Sequence, residues 1–500
     1  MSDDILKLQN GSDIRGVALE GVEGEHVNLT PEIAKQIGCA FVSWLQKKTD
    51  LPLNEIVIGI GRDSRISGPD LADGLAYGIL SAGAKVVDCG MATTPAMFMS
   101  LVFEETSFTG SAMITASHLP FNRNGIKFFD EDGGLEHDDI TDILTLAKLL
   151  NPISVNYYAS KCDLIEIYAN YLKNKIKNTL NDGEQPLKGL HIVGDSGNGA
   201  SGFFVDKILQ PLGADTSGSQ FLEPDGHFPN HIPNPENKEA MAAIQSAVVK
   251  NHADLGLIFD TDVDRMSAVL SDGSEVNRDS IIAMIAAILA PQHKGGTIIT
   301  DSVTSNRLTY FLEDVLGMKH LCYMRGYKNV INKQKELNAK GIDAPLAMET
   351  SGHGALKDNY YLDDGAYLAV KIIIALAKAS KEGKKLDSLI EKLPPLVEEG
   401  EFRFKINTED FKAYGNSVLE EFKKRSEASS YNMPKSYEGI RLTFDSEDVK
   451  GWILLRMSLH DPVMPMNIEG LRKGDLEKLK KIAIKLTDGF DKLDRSSLLK

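Results

Sequence analysis

Three times along this chain an apolar run of strand-forming residues gives way to small turn formers and then to a helical pattern. The segments are EIVIGIGRDSR at 55–65, LHIVGDSGNGASG at 190–202 and GTIITDSVTSNR at 296–307. Continuous apolar strands of this kind are buried on both faces, and each reads as the start of a βαβ unit. Their recurrence predicts an α/β protein of three similar domains with mixed, mostly parallel sheets. The C-terminal part reads differently. EFRFKI (401–406) predicts a strand and Asp410 to Glu427 a helix. IRLTFD (440–445) and GWILLRMSL (451–459) predict a hairpin pair, followed by a charged helix from Leu471 to Thr487. That is the pattern of a smaller α+β domain, set off by the helix-breaking Pro394 and Pro395. The expected domains are 1–160, 161–275, 276–397 and 398–500.

Composition excludes several classes. Hydrophobic residues make up 42% and charged residues 25%, which rules out a disordered, collagen-like or disulfide-scaffold chain. Lys and Arg number 55 against 71 Asp and Glu, for a formal net charge of −16. That balance argues against a nucleic-acid or membrane partner, while a few convergent Arg and Lys can still hold an anionic small molecule. Cys39, Cys89, Cys162 and Cys322 are far apart in sequence and form no CxxC pair. Reduced thiols in a cytoplasmic protein fit this spacing. The N-terminal MSDDILKLQNGSDIRGV has no apolar signal core. The longest apolar run, Ile281 to Ala290, is too short to span a bilayer and stops at Pro291. A soluble monomer or homodimer is expected.

Three segments carry chemistry. In LGLIFDTDVDRMSAV (255–269) an apolar strand ends in Asp260, Asp262 and Asp264, with Arg265 next. On a strand these carboxylates would share one face about 6.5 Å apart. They converge on one ion only if the strand end curls into a loop. Three clustered carboxylates suit a hard cation such as Mg²⁺. A calcium EF-hand fails, because its sixth position needs Gly and its twelfth Glu, where this chain has Arg265 and Ser271. The plain alternative is a solvated acidic loop. In SAMITASHLPFNRNGIKFF (111–129) a strand ends at Thr115-Ala116-Ser117-His118, so Ser117 stands at a strand's carboxyl end, where open α/β sheets place ligands. Alone, such a serine is more often a turn former. In AMETSGHGALKDNYYLDDG (347–365) Glu349, Ser351 and His353 lie beside Gly352 and Gly354. They can offer an acceptor, a hydroxyl and an imidazole to a polyhydroxyl ligand, or form an ordinary loop. Gly197-Asn198-Gly199-Ala200-Ser201-Gly202 matches the dinucleotide fingerprint, with Glu223 downstream. A lone match is weak, and a tight strand-to-helix turn is the preferred reading.

Together these segments resemble the α-D-phosphohexomutase superfamily, the phosphoglucomutases and phosphomannomutases. TASHLP with NGIK is similar to that family's phosphoserine loop, DTDVDR to its metal loop and METSGH to its sugar-recognition loop. SDIRG, GRDSR (61–65), PDGHFPNHIPNPE (224–236) and RGYKNV (325–330) agree in order. Two departures stand out. Leu119 replaces the usual Asn, and Arg456-Met457-Ser458-Leu459-His460-Asp461-Pro462 stands where the family has RxSGTEP. The run LHDPVMPMNIEG resembles a subgroup of bacterial and plant-type members with a variant C-terminal phosphate loop.

The resemblance implies four domains around a central cleft, one loop from each. It implies transfer between the 1- and 6-positions of a hexose phosphate through a phosphoserine and a bound hexose 1,6-bisphosphate, which also serves as activator. Ser117, Asp260, Asp262 and Asp264 would hold one Mg²⁺ per chain. Three carboxylates, a phosphate near −2 and Mg²⁺ leave about −3, for Arg15, Lys127 and Arg265 to offset. Lys127, His118 and Arg15 are the candidates for moving the proton. Glu349, Ser351 and His353 would bind the sugar. Arg456 and Ser458, assisted by Arg325 and Lys328, would bind the phosphate that is not reacting. METSGH leans towards glucose or mannose rather than an N-acetylated amino sugar. Two rivals are an aspartate-nucleophile phosphatase or mutase built on Asp260 and a non-catalytic sugar-phosphate binder. A NAD-dependent dehydrogenase rests on GNGASG alone.

Overall fold

A computed structural model describes residues 5–458 and 461–499. It divides into two compact units, one running as far as Asn277 and including Ser351–Ser388, the other comprising Arg278–Thr350 and the chain from Leu389 onward. In the first unit the strands β1 (Asp13–Val17), β2 (Val57–Arg62), β3 (Lys85–Met91), β4 (Gly110–Ile114) and β5 (Arg123–Asp130) lie in one sheet, in the order β1-β5-β4-β2-β3. β2 runs parallel to β3 and β4, whereas β5 is antiparallel to both β4 and β1. Short strands extend the sheet, among them Ser160–Lys161 beside β3.

Helices α1 (Pro31–Thr49) and α2 (Gly68–Ser81) pack together in this unit. Thr30 caps α1, its hydroxyl accepting from Ile33 N, with Pro31 in the first turn. Ala34, Ile37, Phe41 and Leu45 recur at helical spacing and are all fully buried. Phe41 stacks on Phe128 of β5 at 4.2 Å between ring centroids. Close approach of the helices requires glycine: a Cβ on Gly78 would lie 1.9 Å from Lys35 O, and one on Gly38 would lie 2.3 Å from Leu75 O.

The next stretch of the first unit contains α3 (Leu164–Leu180), β6 (Ile192–Asp195), α4 (Lys238–Asn251), β7 (Leu255–Phe259) and β8 (Met266–Leu270). β7 is parallel to β6 and antiparallel to β8, so this sheet is also mixed. All five residues of β7 are buried. Residues Ser351–Ser388 add a short hairpin, Gly354–Leu356 with Leu362–Asp363, and helix α5 (Gly365–Lys381). Tyr168 on α3 donates to Asp364, the residue capping α5.

In the second unit β9 (Thr297–Thr300) pairs in parallel with β10 (Lys319–Cys322) and β11 (Leu346–Met348). Its C-terminal part is an all-antiparallel sheet. There β12 (Glu398–Ile406), β13 (Ile440–Asp445), β14 (Lys450–Leu455) and β15 (Val463–Gly470) lie in the order β13-β14-β15-β12. Helices Phe411–Ala428 and Asp475–Leu486 accompany them. The expected hairpin forms between β13 and β14, but β14 ends at Leu455, short of the expected 459. β15 pairs with both β14 and β12 and has no counterpart in the sequence expectation. Pro465 hid it, since proline inside an apolar run argues against a central strand. The carbonyl of Pro465 still accepts from Arg456 N at 3.1 Å, so the proline costs the pairing only its missing amide donor. Among the described residues no helix is long and apolar enough to cross a membrane.

Candidate active site

β4 runs out at Ile114, and the chain turns sharply. Ser117 takes φ +49°, a left-handed conformation that non-glycine residues seldom adopt. Its amide donates to Thr115 Oγ1 at 2.9 Å. One side chain organises the whole turn. Arg65 is 1% exposed, and its guanidinium donates to the carbonyls of Ser117 (2.5 Å), Leu119 (2.6 Å), Pro120 (2.8 Å) and Arg123 (3.0 Å). Asp63 pairs with it at 3.5 Å. The forked, always charged guanidinium is the group suited to gather so many acceptors.

β7 ends one residue before Asp260, and the following loop curls as the chemistry required. Val263 has φ +67°, unusual for a β-branched residue. The curl brings one oxygen each of Asp260, Asp262 and Asp264 to within 4.8 Å of one another. All three are at most 2% exposed. Burial and the charges of Asp264 and Asp262 push the Asp260 carboxyl well above its ordinary range, against the pull of Arg265 and Ser117. Burial also disfavours the Asp264 carboxylate, but Lys127, His353 and Arg265 together hold it far below its usual value. Asp262 Oδ1 and Asp264 Oδ1 are buried with no hydrogen-bond partner among the described residues. Buried carboxylate oxygens without a hydrogen bond, in a cluster this tight, fit a hard divalent cation.

The serine and the acids share this space. Ser117 Oγ donates to Asp260 Oδ2 at 2.8 Å and accepts from the Arg265 guanidinium at 2.8 Å. Arg265 Nε donates to Asp260 Oδ2 at 3.1 Å, and its NH2 group also meets His118 Nδ1. Lys127 Nζ donates to Asp264 Oδ2 at 2.5 Å and to Asp262 Oδ2 at 3.2 Å. Arg15 donates to Thr115 O at 2.8 Å and to Asp13 at 2.9 Å. His118 Nδ1 lies 3.3 Å from Ser117 Oγ. Burial, then the charges of Arg265 and Arg15, push its pKa down to about 2, so the ring is neutral. His353 approaches Asp264 at 3.5 Å and Ser351 Oγ at 2.9 Å. Burial first, with the Arg265 and Lys127 charges outweighing the pull of Asp264, lowers its pKa to about 3.

The remaining expected residues lie in the second unit, where two of them, Arg325 and Arg456, meet at Glu438, which sequence reasoning missed. Glu438 accepts from Ser302 Oγ at 2.6 Å and from Arg325 N at 3.0 Å, and it pairs with Arg456 at 3.4 Å. Glu349 accepts from Gly326 N at 2.7 Å. Lys328 sits in the first turn of helix Tyr327–Ala339. Arg456 is 6% exposed, and its Nε has no hydrogen-bond partner among the described residues. Ser458 Oγ accepts from Asp461 N at 3.3 Å. Leu459 and His460 of the departing loop lie outside the described residues.

Thr94 was also missed. Its hydroxyl donates to Asp262 Oδ2 at 2.5 Å and its amide to Asp262 O at 2.9 Å. The GNGASG turn braces the same loop. Ala200 N donates to Thr261 O at 2.9 Å, and a Cβ on Gly199 would lie 2.8 Å from Thr261. Those glycines therefore serve backbone packing, as the preferred reading had it.

The chain matches three successive family patterns, described as phosphoglucomutase/phosphomannomutase alpha/beta/alpha domain I (residues 6–148), domain II (166–273) and domain III (277–397). It is 28% identical over 472 residues to a phosphomannomutase/phosphoglucomutase of Pseudomonas putida, covering 94% of each chain. It is 30% identical over 490 residues to a phosphoglucomutase/phosphomannomutase of Thermococcus kodakarensis, covering 96% of this chain and 98% of that one. A phosphoglucomutase/phosphomannomutase family protein of Burkholderia thailandensis has the same fold at TM-score 0.78 and 24% identity, covering 98% of this chain and 99% of the other.

Proposed function

Since the chain belongs to the phosphoglucomutase/phosphomannomutase family of isomerases, we propose that it interconverts hexose 1-phosphates and hexose 6-phosphates of glucose or mannose. The route runs through a phosphoserine at Ser117 and a bound hexose 1,6-bisphosphate. The observation that carries this reading is the placement of Ser117 Oγ, 2.8 Å from both Asp260 and Arg265, within the buried acidic cluster.

The phosphoryl group leaves Ser117 Oγ, which takes up a proton to become a free hydroxyl, as a new P–O bond forms at the free sugar hydroxyl. That hydroxyl must lose its proton. His118, neutral and beside Ser117, accepts it at Nδ1 once that atom is released from the Arg265 guanidinium, whereas Arg15 stays protonated and Lys127 donates to two carboxylates. After the bisphosphate turns over, its other phosphoryl group returns to Ser117. Asp260, Asp262 and Asp264, with a phosphate oxygen on Ser117, would hold Mg²⁺, which supplies charge neutralisation to the phosphoryl group when bound. Arg265 and Lys127 offset the remaining negative charge. Glu349, Ser351 and His353 hold sugar hydroxyls. Arg456 and Ser458, with Arg325 and Lys328, grip the phosphate not reacting, and the loop Arg456–Pro462 does so as a variant of the family's RxSGTEP.

Against the aspartate-nucleophile rival, Asp260 already accepts from Ser117 Oγ and from Arg265 N and Nε. The test is incubation with glucose 1,6-bisphosphate followed by peptide mass spectrometry, with turnover measured in parallel on glucose 1-phosphate and mannose 1-phosphate. A single phosphate on Ser117, lost together with turnover in Ser117→Ala, is the expected result. Near-full activity of Ser117→Ala, or phosphate on Asp260, would overturn the proposal.

A further inference from the structure

Far from Ser117 in sequence, and unused by the chemistry above, two of the four cysteines meet. Strand β3 and the short strand Ser160–Lys161 pair in parallel, with Val87 opposite Ser160 and Asp88 opposite Lys161. The register carries on by one position, since Cys162 N donates to Asp88 O at 3.0 Å. Cys89 and Cys162 are thus the next opposed pair. Neighbouring strands lie about 4.8 Å apart, and a disulfide needs Cα atoms about 4.4–6.8 Å apart with side chains on one side. The register of β3 against β2 shifts around Cys89, because Ile60 faces Asp88 while Gly61 faces Gly90. Such a bulge re-aims a side chain. The two thiols are within hydrogen-bonding reach of each other, yet both are free.

Cys89 and Cys162 both line a cavity of about 640 Å³, whose charged walls combine Arg62, Lys161 and Lys207 with Asp88, Asp163, Asp206 and Glu223. Cys89 is buried and Cys162 half-buried, so a small oxidant entering this cavity meets Cys162 first. The hydrogen bond from Cys89 holds the Cys162 thiol below its ordinary pKa. The same contact, followed by burial, pushes the Cys89 thiol up. The pair is therefore asymmetric, with one sulfur suited to be a thiolate and the other keeping its proton.

We propose that Cys89 and Cys162 form a reversible dithiol–disulfide site closed by hydroperoxides, with Cys162 as the attacking sulfur and Cys89 as the resolving one. The Cys162 thiolate attacks the peroxide's outer oxygen, breaking the O–O bond. This leaves Cys162 as a sulfenic acid and releases an alkoxide or hydroxide that takes up a proton. Cys89 sulfur then attacks Cys162 sulfur. The S–S bond forms, the S–O bond breaks, and the departing hydroxide takes the proton from the Cys89 thiol to leave as water. Two electrons pass from the thiol pair to the peroxide, and an external dithiol reverses the change. The disulfide would tie β3 to the entry of α3. β3 leads within three residues to Thr94, the partner of Asp262.

The test treats the reduced, folded full-length chain with hydrogen peroxide, then counts thiols and maps peptides. Two of the four thiols disappear in wild type, a Cys89–Cys162 cross-linked peptide appears within one chain, and dithiothreitol restores both. The double variant Cys39→Ser/Cys322→Ser behaves the same way. Cys89→Ser instead accumulates Cys162 sulfenic acid, trapped by dimedone. A wild-type chain whose Cys162 goes to sulfinic acid while Cys89 stays alkylatable would overturn the proposal. So would a cross-link from Cys162 to a second chain, or dimedone labelling at Cys89 in place of Cys162.

Discussion

Replacing Arg65 by Met removes the one group that gathers four main-chain carbonyls of the Ser117 turn. A hydrogen bond to a charged group contributes about 1.5–3 kcal/mol, so a plain sum is about 6–12 kcal/mol. Relaxation of the turn and entry of water recover part of that. Breaking a buried charge pair typically costs about 3–5 kcal/mol, a large part of the about 5–15 kcal/mol that holds a domain folded. Asp63 adds to the loss. Burial already raises its pKa to about 6 with Arg65 beside it, and without the guanidinium its charge is buried unpaired. Turnover should fall further than stability explains, because misplacing a reacting group by about 1 Å costs about 100-fold. Urea unfolding and mutase turnover are measured on Arg65→Met, Arg65→Lys and the double variant Asp63→Asn/Arg65→Met. The double variant should regain stability over the single one and no turnover, since it removes the unpaired charge and leaves the turn unsupported. Arg65→Lys should keep part of the stability but lack the planar fork, so turnover stays low. Folded Arg65→Met with turnover within about threefold of wild type would refute the idea that this side chain positions Ser117.

Chelation should abolish turnover while leaving far-ultraviolet circular dichroism unchanged, and added Mg²⁺ should raise the melting temperature as a ligand of the native state does. Asp264→Asn, which removes one buried carboxylate of the cluster, should raise the Mg²⁺ needed for half-maximal activity by about tenfold or more. In Glu438→Gln the Arg456 pairing is weakened, so KM for sugar phosphate should rise more than kcat falls in steady-state assays. Burial disfavours charged His231, but its hydrogen bond and charge contact with Asp195 prevail and raise its pKa. Its contribution is therefore fully present below about pH 6.5 and lost as pH rises through the higher folded value. The urea midpoint should fall between about pH 6 and about pH 8 in wild type, and this part of the fall should be absent in His231→Asn.

The sequence alone determined the local structures and the chemical inventory. Buried strands announce themselves as continuous apolar runs, and β2, β6 and β9 all lie within the three runs that predicted them. The acid trio and Ser117 were legible because each follows directly on such a run, and strand ends are where sheets expose side chains. Tertiary structure decided which groups meet. Arg65 lies 52 residues before Ser117, and Glu438 lies 136 residues after Ser302. No local spacing connects either pair. The curl that turns a strand end into a loop of three converging carboxylates depends on Val263 taking a conformation its own side chain disfavours, which only the surrounding packing can impose. β15 was hidden for a related reason, since the cost of Pro465 depends on which neighbours its carbonyl and its missing amide face. The proximity of Cys89 and Cys162 is likewise a matter of register between strands 73 residues apart. Apolar periodicity is a property of neighbours along the chain, whereas hydrogen-bond partners, strain and proximity belong to neighbours in space.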